Sequence, residues 1–412
     1  MLLPSAKLYG LNVKIALAII LVAFGVPAWR ELLLEDDETR RFTRRYVAIF
    51  AYFAVLLGCW SLVALQNGFT PLPEIRSMLG PAVLIAAYHP RLVPKEWLLG
   101  VYAASSVIYA LLKLLWLTGV YIGVVQEFDL VVIGRQVFEI EMVAGPTCRP
   151  GFRRLALVND LAVVMFPLLL LESRYRRASV YAALALCGLA VLSSYSRYLM
   201  FAFLAMCVIT ALQLGSSRAR LAIVGCVVVV LAVGFAVDGG NCLASRLFPL
   251  GGLSQASAAA AVSSSDREAD PSSVTAYRDG AALNRRTDEI RRMQFHRLTE
   301  LIGKQPLFGY GVGSYDRGYV RSPQMPYSYE LQLLSFVLKF GIVGFALIAC
   351  GAIALCALLF GRQLLSWAAT TALAASGVGN PFYESSAFGV AFVLLVASFS
   401  DWAVAGRERP GP

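Results

Sequence analysis

Residues of the right types for polar chemistry gather in one late stretch, Arg291 to Gly344, which reads RRMQFHRLTELIGKQPLFGYGVGSYDRGYVRSPQMPYSYELQLLSFVLKFGIVG. Arg291 and Arg297 stand on a helical pattern that begins near Thr287 and ends at Pro306. At 100° per residue, Ile290, Met293, Leu298, Leu301 and Ile302 form one apolar face. Arg291 projects inside that arc between Leu298 and Ile302, Arg297 lies near its other side, and Arg292 and His296 point away. An arginine on a buried face needs an anion, either a structural carboxylate or a ligand. Next comes the turn Gly309-Tyr310-Gly311-Val312-Gly313, whose glycines allow positive φ and whose successive N–H groups can cradle a phosphate. A plain turn is the other reading: there is no GxxxxGK[ST], and no strand–helix context for a nucleotide loop. Glu330 follows Pro326-Tyr327-Ser328-Tyr329 and opens an apolar run. With Ser328 as N-cap it could simply complement the helix dipole. In a partly dry cleft its pKa rises toward a value that suits removal of a hydroxyl proton.

More arginines are expected on the same side. Arg197 sits in Ser193-Ser-Tyr-Ser-Arg-Tyr, at the junction of two apolar runs. An ionisable residue at membrane depth marks a functional site unless it snorkels to headgroups. Arg149, Arg153 and Arg154, followed by Asn159 and Asp160, flank another run. Several guanidinium groups converging on one face suit a pyrophosphate, which they bind bidentately. Lys14 and Lys113 lie inside apolar runs and have no assigned role, and His89 reads as structural.

The elements that must carry these residues are membrane helices. Of 412 residues, 58% are hydrophobic and 15% charged, with a mean hydropathy of +0.66. Soluble domains sit nearer about 45–50% apolar and about 25% charged. Charge-poor runs fall at roughly 11–29, 46–66, 77–90, 97–119, 155–171, 178–194, 197–214, 220–237, 331–361, 363–377 and 385–404. The fold class expected is therefore all-α: a polytopic integral membrane protein of about 11–12 transmembrane helices, with 1–412 as a single membrane domain.

The net charge of +10 sits in short loops between apolar runs, so positive-inside topology explains it and nucleic acid is not an expected partner. Loops at Arg40–Arg45, Arg91–Lys95, Arg174–Arg177, Arg218–Arg220, Arg362 and Arg407–Arg409 can all face the cytoplasm together. The segments 120–154 and 238–330 then face outward. That count leaves the N-terminus outside, unless a span is missed or re-entrant near 1–30 or 70–90. The loop 238–330 offers room for a partly helical lobe, and its Ala/Ser-rich part, 251–276, reads as flexible. Of eight cysteines, Cys59, Cys187, Cys207, Cys226, Cys350 and Cys356 read as small core residues. Cys148 and Cys242 fall in the outer segments, where an oxidising compartment lets them pair. No metal-ligand spacing occurs.

The pattern resembles the O-antigen ligase and Wzy-type polysaccharide polymerase superfamily, polytopic inner-membrane glycosyltransferases with one large periplasmic loop. Three places carry the resemblance. Arg291, Phe295 and Pro306 to Gly311 match an Arg, an aromatic four positions on, then Pro-Leu-hydrophobic-Gly-x-Gly. Ser196-Arg197 matches a Ser-Arg that begins a span. Gly341 to Gly344 matches a Gly-x-x-Gly. Ligases place a histidine eleven positions before that last motif, where this chain has Glu330, followed by Leu331. Asn380-Pro381 and Tyr383-Glu384 also look more like polymerases.

The resemblance implies a bacterial inner-membrane enzyme whose site faces the periplasm. It would polymerise undecaprenyl-pyrophosphate-linked repeat units into a surface polysaccharide: O-antigen, capsule or exopolysaccharide. Arg291 and Arg197 would hold the departing pyrophosphate, and Glu330 would deprotonate the acceptor hydroxyl. Arg153, Arg154, Arg297, Gly309, Gly311, Gly313 and Tyr329 would complete the substrate site. No cofactor or metal is implied. Expected partners are the lipid-linked glycan donor and acceptor, membrane lipid and a chain-length regulator. The alternatives are a ligase moving glycan to another acceptor and, in another class, a transporter of lipid-linked sugars.

Overall fold

The computed structural model describes residues 7–8, 11–12, 27–89, 93–124, 142–146, 153–157, 159–238, 289–320, 326–329, 331–376, 383 and 385–399. Glu330, Cys148, Cys242, Lys14, Asn380, Pro381, Glu384 and the stretch 251–276 therefore lie outside the described residues. The chain packs as two compact units, 1–8 with 103–290 and 9–102 with 291–412.

Helices dominate, as the apolar runs require. In chain order they are α1 (Asp37–Gln66), α2 (Leu72–Ala87), α3 (Lys95–Tyr121), α4 (Ala178–Leu192), α5 (Arg197–Gln213), α6 (Ser217–Asp238), α7 (289–304), α8 (Gln332–Phe360), α9 (Leu364–Ser376) and α10 (Ser386–Phe399). Among the described residues, α1, α3, α6 and α8 are long and apolar enough to cross a bilayer by themselves. Their exposed surface is apolar: only 17% of the most hydrophobic window of α1 is buried, and Val55, Leu62 and Leu65 face outward. In water such faces would be a liability, whereas in hydrocarbon they are the expected surface. The chain is thus an all-α, polytopic membrane protein. Strand content is minor and includes one antiparallel hairpin, Met142–Pro146 with Arg153–Leu157, which pairs Pro146 with Arg153 and Gly145 with Arg154.

In the first unit, α4 packs on α6, and α5 packs against the segment 166–171. The segment read as a span at 155–171 behaves differently. It leaves the hairpin strand at Leu157, makes one helical turn at Asp160–Val163, then a 3-10 stretch at Phe166–Leu171. Leu161, Val163, Met165, Phe166 and Leu169 are wholly buried there. Its apolar character thus fills a protein core and does not face lipid. At 1.5 Å rise per residue the helical part is also too short to cross the roughly 30 Å hydrocarbon layer alone.

In the second unit, α1 packs along α8, α2 packs on α10, and α9 on α10. Asp36 caps α1 through its side chain to the Thr39 N–H (2.8 Å), with Asp37 and Glu38 in the first turn, a strong start signal. His89 is buried and structural in its packing, edge-on to Trp29 (5.1 Å) and Phe42 (5.4 Å).

Candidate functional site

The second unit holds the motif residues, and their geometry centres on a break in α8. Gly341 has φ +64° and ψ −178° inside that helix, a conformation open to glycine and costly for other residues. The break leaves carbonyls of the first half and N–H groups of the second without helical partners. The loop after α7 supplies them one by one. Tyr310 N–H donates to Leu338 O (2.9 Å) and Gly311 N–H to Lys339 O (2.8 Å). Ile342 N–H donates to Pro306 O (2.8 Å) and Val343 N–H to Leu307 O (3.0 Å). Trp60 of α1 closes the joint, its indole N–H shared between Phe308 O (2.8 Å) and Phe340 O (2.9 Å). The Gly-x-x-Gly motif now has a physical meaning. A Cβ on Gly341 would lie 2.3 Å from Leu307 O, and one on Gly344 2.5 Å from the Trp60 ring.

The same bonds revise the reading of Gly309, Gly311 and Gly313 as a phosphate cradle. Gly309 N–H donates to Gln305 O, Val312 N–H to Trp60 O and Gly313 N–H to the Glu74 carboxylate. Together with Tyr310 and Gly311, the donors of the turn are already engaged by the protein. Their positive φ angles instead permit close backbone approach: a Cβ on Gly311 would sit 2.1 Å from Ala64 N.

Helix α7 is rotated from the expected face. Met293 is 41% exposed, while Gln294 and Leu298 are fully buried. The inward stripe therefore runs Arg291, Gln294, Leu298 and Leu301, at helical spacing. Arg291 lies half-buried in that stripe, as its position between apolar neighbours requires. Neither polar atom of the Gln294 amide has a hydrogen-bond partner among the described residues. The polar identity of this inward residue is what misled the apolar count. Arg297 has found a carboxylate: its guanidinium pairs with Asp316 (3.1 Å) and lies over the Tyr319 ring. His296 is exposed.

Tyr329 is buried, and its hydroxyl oxygen accepts the Asp316 N–H (2.7 Å). Burial pushes its phenol up to about 12. It thus braces the 316–319 turn. Helix α8 begins at Gln332 with Leu331 at the cap and no side-chain cap bond. Ser328 is therefore not its N-cap.

Sequence reasoning missed the strongest polar feature here. Glu74 of α2 and Lys339 of α8 form an ion pair, with 0% and 1% of their side chains exposed. The carboxylate also takes the Gly313 N–H, and the ammonium lies 5.8 Å from the Tyr327 ring centre. Both residues stand in or beside apolar runs, which is the signal that could have found them.

The first unit carries the other arginines. Arg153 and Arg154 lie on the second hairpin strand. That strand is tied to the turn before α5 by Leu155 N–H to Ser193 O (3.1 Å). Tyr195 in this turn has φ +51°, and half-buried Arg197 follows at the first residue of α5. A cation at the positive end of a helix dipole is unfavourable alone and attracts an anion. Beneath lies a buried knot. Lys113 Nζ donates to both Asp160 oxygens (2.7 and 2.8 Å) and to Ala190 O (2.7 Å). Tyr109 OH (2.8 Å) and Leu157 N–H (2.9 Å) also donate to Asp160. So Lys113 does not snorkel: it fastens the end of the arginine-bearing strand to α4. The structure thus gathers Arg153, Arg154 and Arg197 on neighbouring backbone in one unit, and Arg291, Arg297, the glycine turn and Tyr329 in the other.

Apolar-faced helices interrupted by buried ion pairs define an integral membrane protein built around polar joints. Residues 182–349 match the model of the family described as O-antigen ligase, Wzy_C. The match supports the superfamily resemblance read from Arg291, Ser196-Arg197 and Gly341–Gly344, and does not separate polymerase from ligase. Such a family implies a glycosyl-transferring membrane enzyme of polysaccharide assembly, working on lipid-linked glycans. No curated protein and no solved structure matches the chain.

Proposed function

We propose that this protein polymerises undecaprenyl-pyrophosphate-linked oligosaccharide repeat units on the outer face of the bacterial inner membrane. The observation that carries the reading is the family match over 182–349 joined to a carboxylate, Glu330, where ligases have a histidine. Arg291, in the inward stripe of α7, and Arg197, at the start of α5, neutralise the pyrophosphate as it leaves, which lowers the charge cost of the transition state. Arg153 and Arg154 assist from the hairpin strand. Glu330 takes the proton from the acceptor hydroxyl, which then attacks the anomeric carbon of the donor as the C–O bond to pyrophosphate breaks. Pyrophosphate is resonance-stabilised and already a fair leaving group. Arg297 serves at one remove, through its pair with Asp316.

The test is incubation of the purified protein with a lipid-linked repeat unit. A ladder of products rising by one repeat supports polymerisation. A single product on a different acceptor would replace it with ligation, and movement of intact substrate across vesicles without new glycosidic bonds would replace both with transport.

A further inference from the structure

Beside the joint in α8, the second unit holds a cavity of about 300 Å³, at the lower end of the roughly 300–1,000 Å³ range of small-molecule sites. Its walls include Phe69, Tyr310, Tyr315, Ser314, Asp316 and Arg317. Phe69 and Tyr315 meet edge to face at 5.6 Å. Ser314 is 1% exposed, and its hydroxyl has no hydrogen-bond partner among the described residues. Buried hydroxyls are nearly always partnered, so an orphan one lining a cavity points to a ligand with a donor or acceptor of its own.

The lining also says what kind of ligand. The charged groups beside it are already matched: Asp316 pairs with Arg297 (3.1 Å) and accepts the Gly318 N–H (2.8 Å), and Arg317 donates to Gly68 O (3.0 Å) and stacks 4.9 Å from the Phe69 ring centre, so a neutral ligand is favoured. The N–H groups of the glycine turn are engaged. What remains is aromatic surface with a buried hydroxyl in the wall. A pyranose ring offers the complement, with C–H groups on its faces for aromatic rings and a hydroxyl at its edge for Ser314. We infer that this cavity is a subsite for one neutral sugar ring of the glycan substrate. The inference rests on the glycosyl-transfer reading and adds to it a place and a recognition chemistry.

The experiment uses the full chain in nanodiscs and saturation-transfer NMR with the methyl glycosides of glucose, galactose, mannose, rhamnose and N-acetylglucosamine. Ring C–H protons of at least one glycoside should receive saturation from the wild-type protein. Loss of one hydrogen bond in Ser314→Ala should weaken binding roughly 2–10-fold, and Ser314→Leu, which fills the cavity, should abolish it. Tyr315→Leu, whose side chain lies nearer the surface, provides a second variant should Ser314→Leu fail to fold. Inorganic phosphate should not compete. No saturation of any glycoside, equal binding by Ser314→Leu and wild type, or displacement by phosphate would each overturn the inference. The product ladder is read separately. Ladder formation by Ser314→Leu with an unchanged acceptor KM would remove the subsite and leave the polymerase standing. Ser314-dependent glycoside binding without any ladder would keep the subsite and remove the polymerase.

Discussion

Neutralising Glu74 should be among the most damaging single changes outside the reacting groups. Its side chain and that of Lys339 are almost wholly withdrawn from solvent. In Glu74→Gln the amide oxygen can still accept the Gly313 N–H, so that bond is largely kept. What is lost is the counter-charge of a buried ammonium, and breaking a buried pair from one side costs about 3–5 kcal/mol. Lys339→Met exposes the opposite problem, a buried carboxylate, at similar cost. Removing both charges leaves neither stranded, so Glu74→Gln/Lys339→Met should lose far less than the sum, with a coupling of at least about 2 kcal/mol. The assay is unfolding in mixed micelles followed by tryptophan fluorescence, which Trp60 makes locally sensitive because it bonds to Phe340 beside Lys339. Strictly additive losses, or a Glu74→Gln protein within about 0.5 kcal/mol of wild type, would show that the pair is hydrated and that the dry joint argued here is wrong.

Gly341→Ala combines a positive φ in a region essentially restricted to glycine with a Cβ 2.3 Å from Leu307 O; it should destabilise by more than the roughly 1–3 kcal/mol of the conformation alone, measured in the same unfolding assay. Arg291→Ala and Arg197→Ala should each abolish ladder formation while the protein still inserts, since each removes charge-assisted contacts of roughly 1.5–3 kcal/mol or more. Lysine should rescue only partly, for want of the planar fork, and full activity of Arg291→Ala would return that residue to packing. Glu330→Gln should lose about 10²–10⁴ in rate and His296→Ala little. The wild-type rate should fall as pH drops through the titration of that carboxylate, because the protonated acid cannot accept the acceptor's proton. A cysteine at Ser264 should react with an impermeant reagent from outside, and one at Ser216 should not. Reversed labelling would put the proposed arginines on the cytoplasmic side.

The helices were legible because hydrocarbon leaves the backbone so few options. Charge-poor runs located α3, α6 and α8 within a few residues of their ends, whereas α1 starts at Asp37, well before the run read from 46, because its first turns carry charge. The run 155–171 misled because burial in protein and burial in lipid select the same side chains. Within the site, Arg291 was found by its place between apolar neighbours. Gln294 was not, since a polar residue on an inward face breaks the periodicity that would reveal it. The glycine turn was visible as a motif, but what its N–H groups bond to depends on α8 and α1, far away in sequence. Glu74 and Lys339 show the same limit from the other side: each looks like an isolated charge until the fold supplies its partner.

The break in α8 also fixes an angular phase. Each residue of an α-helix turns the chain by about 100°, and the two halves of α8 are locked to Pro306–Gly311 by bonds that name individual residues. Sliding the hinge by one position would point the whole second half, with the face that meets Tyr52 and Phe53 at Leu347 and Gly351, in another direction. The joint thus works as a keyed coupling: chain can be added or removed after Tyr319 and before Tyr327 without disturbing it, but not between Pro306 and Gly311 or between Leu338 and Val343. Homologous chains should differ freely in the first interval and hold the other two to constant length.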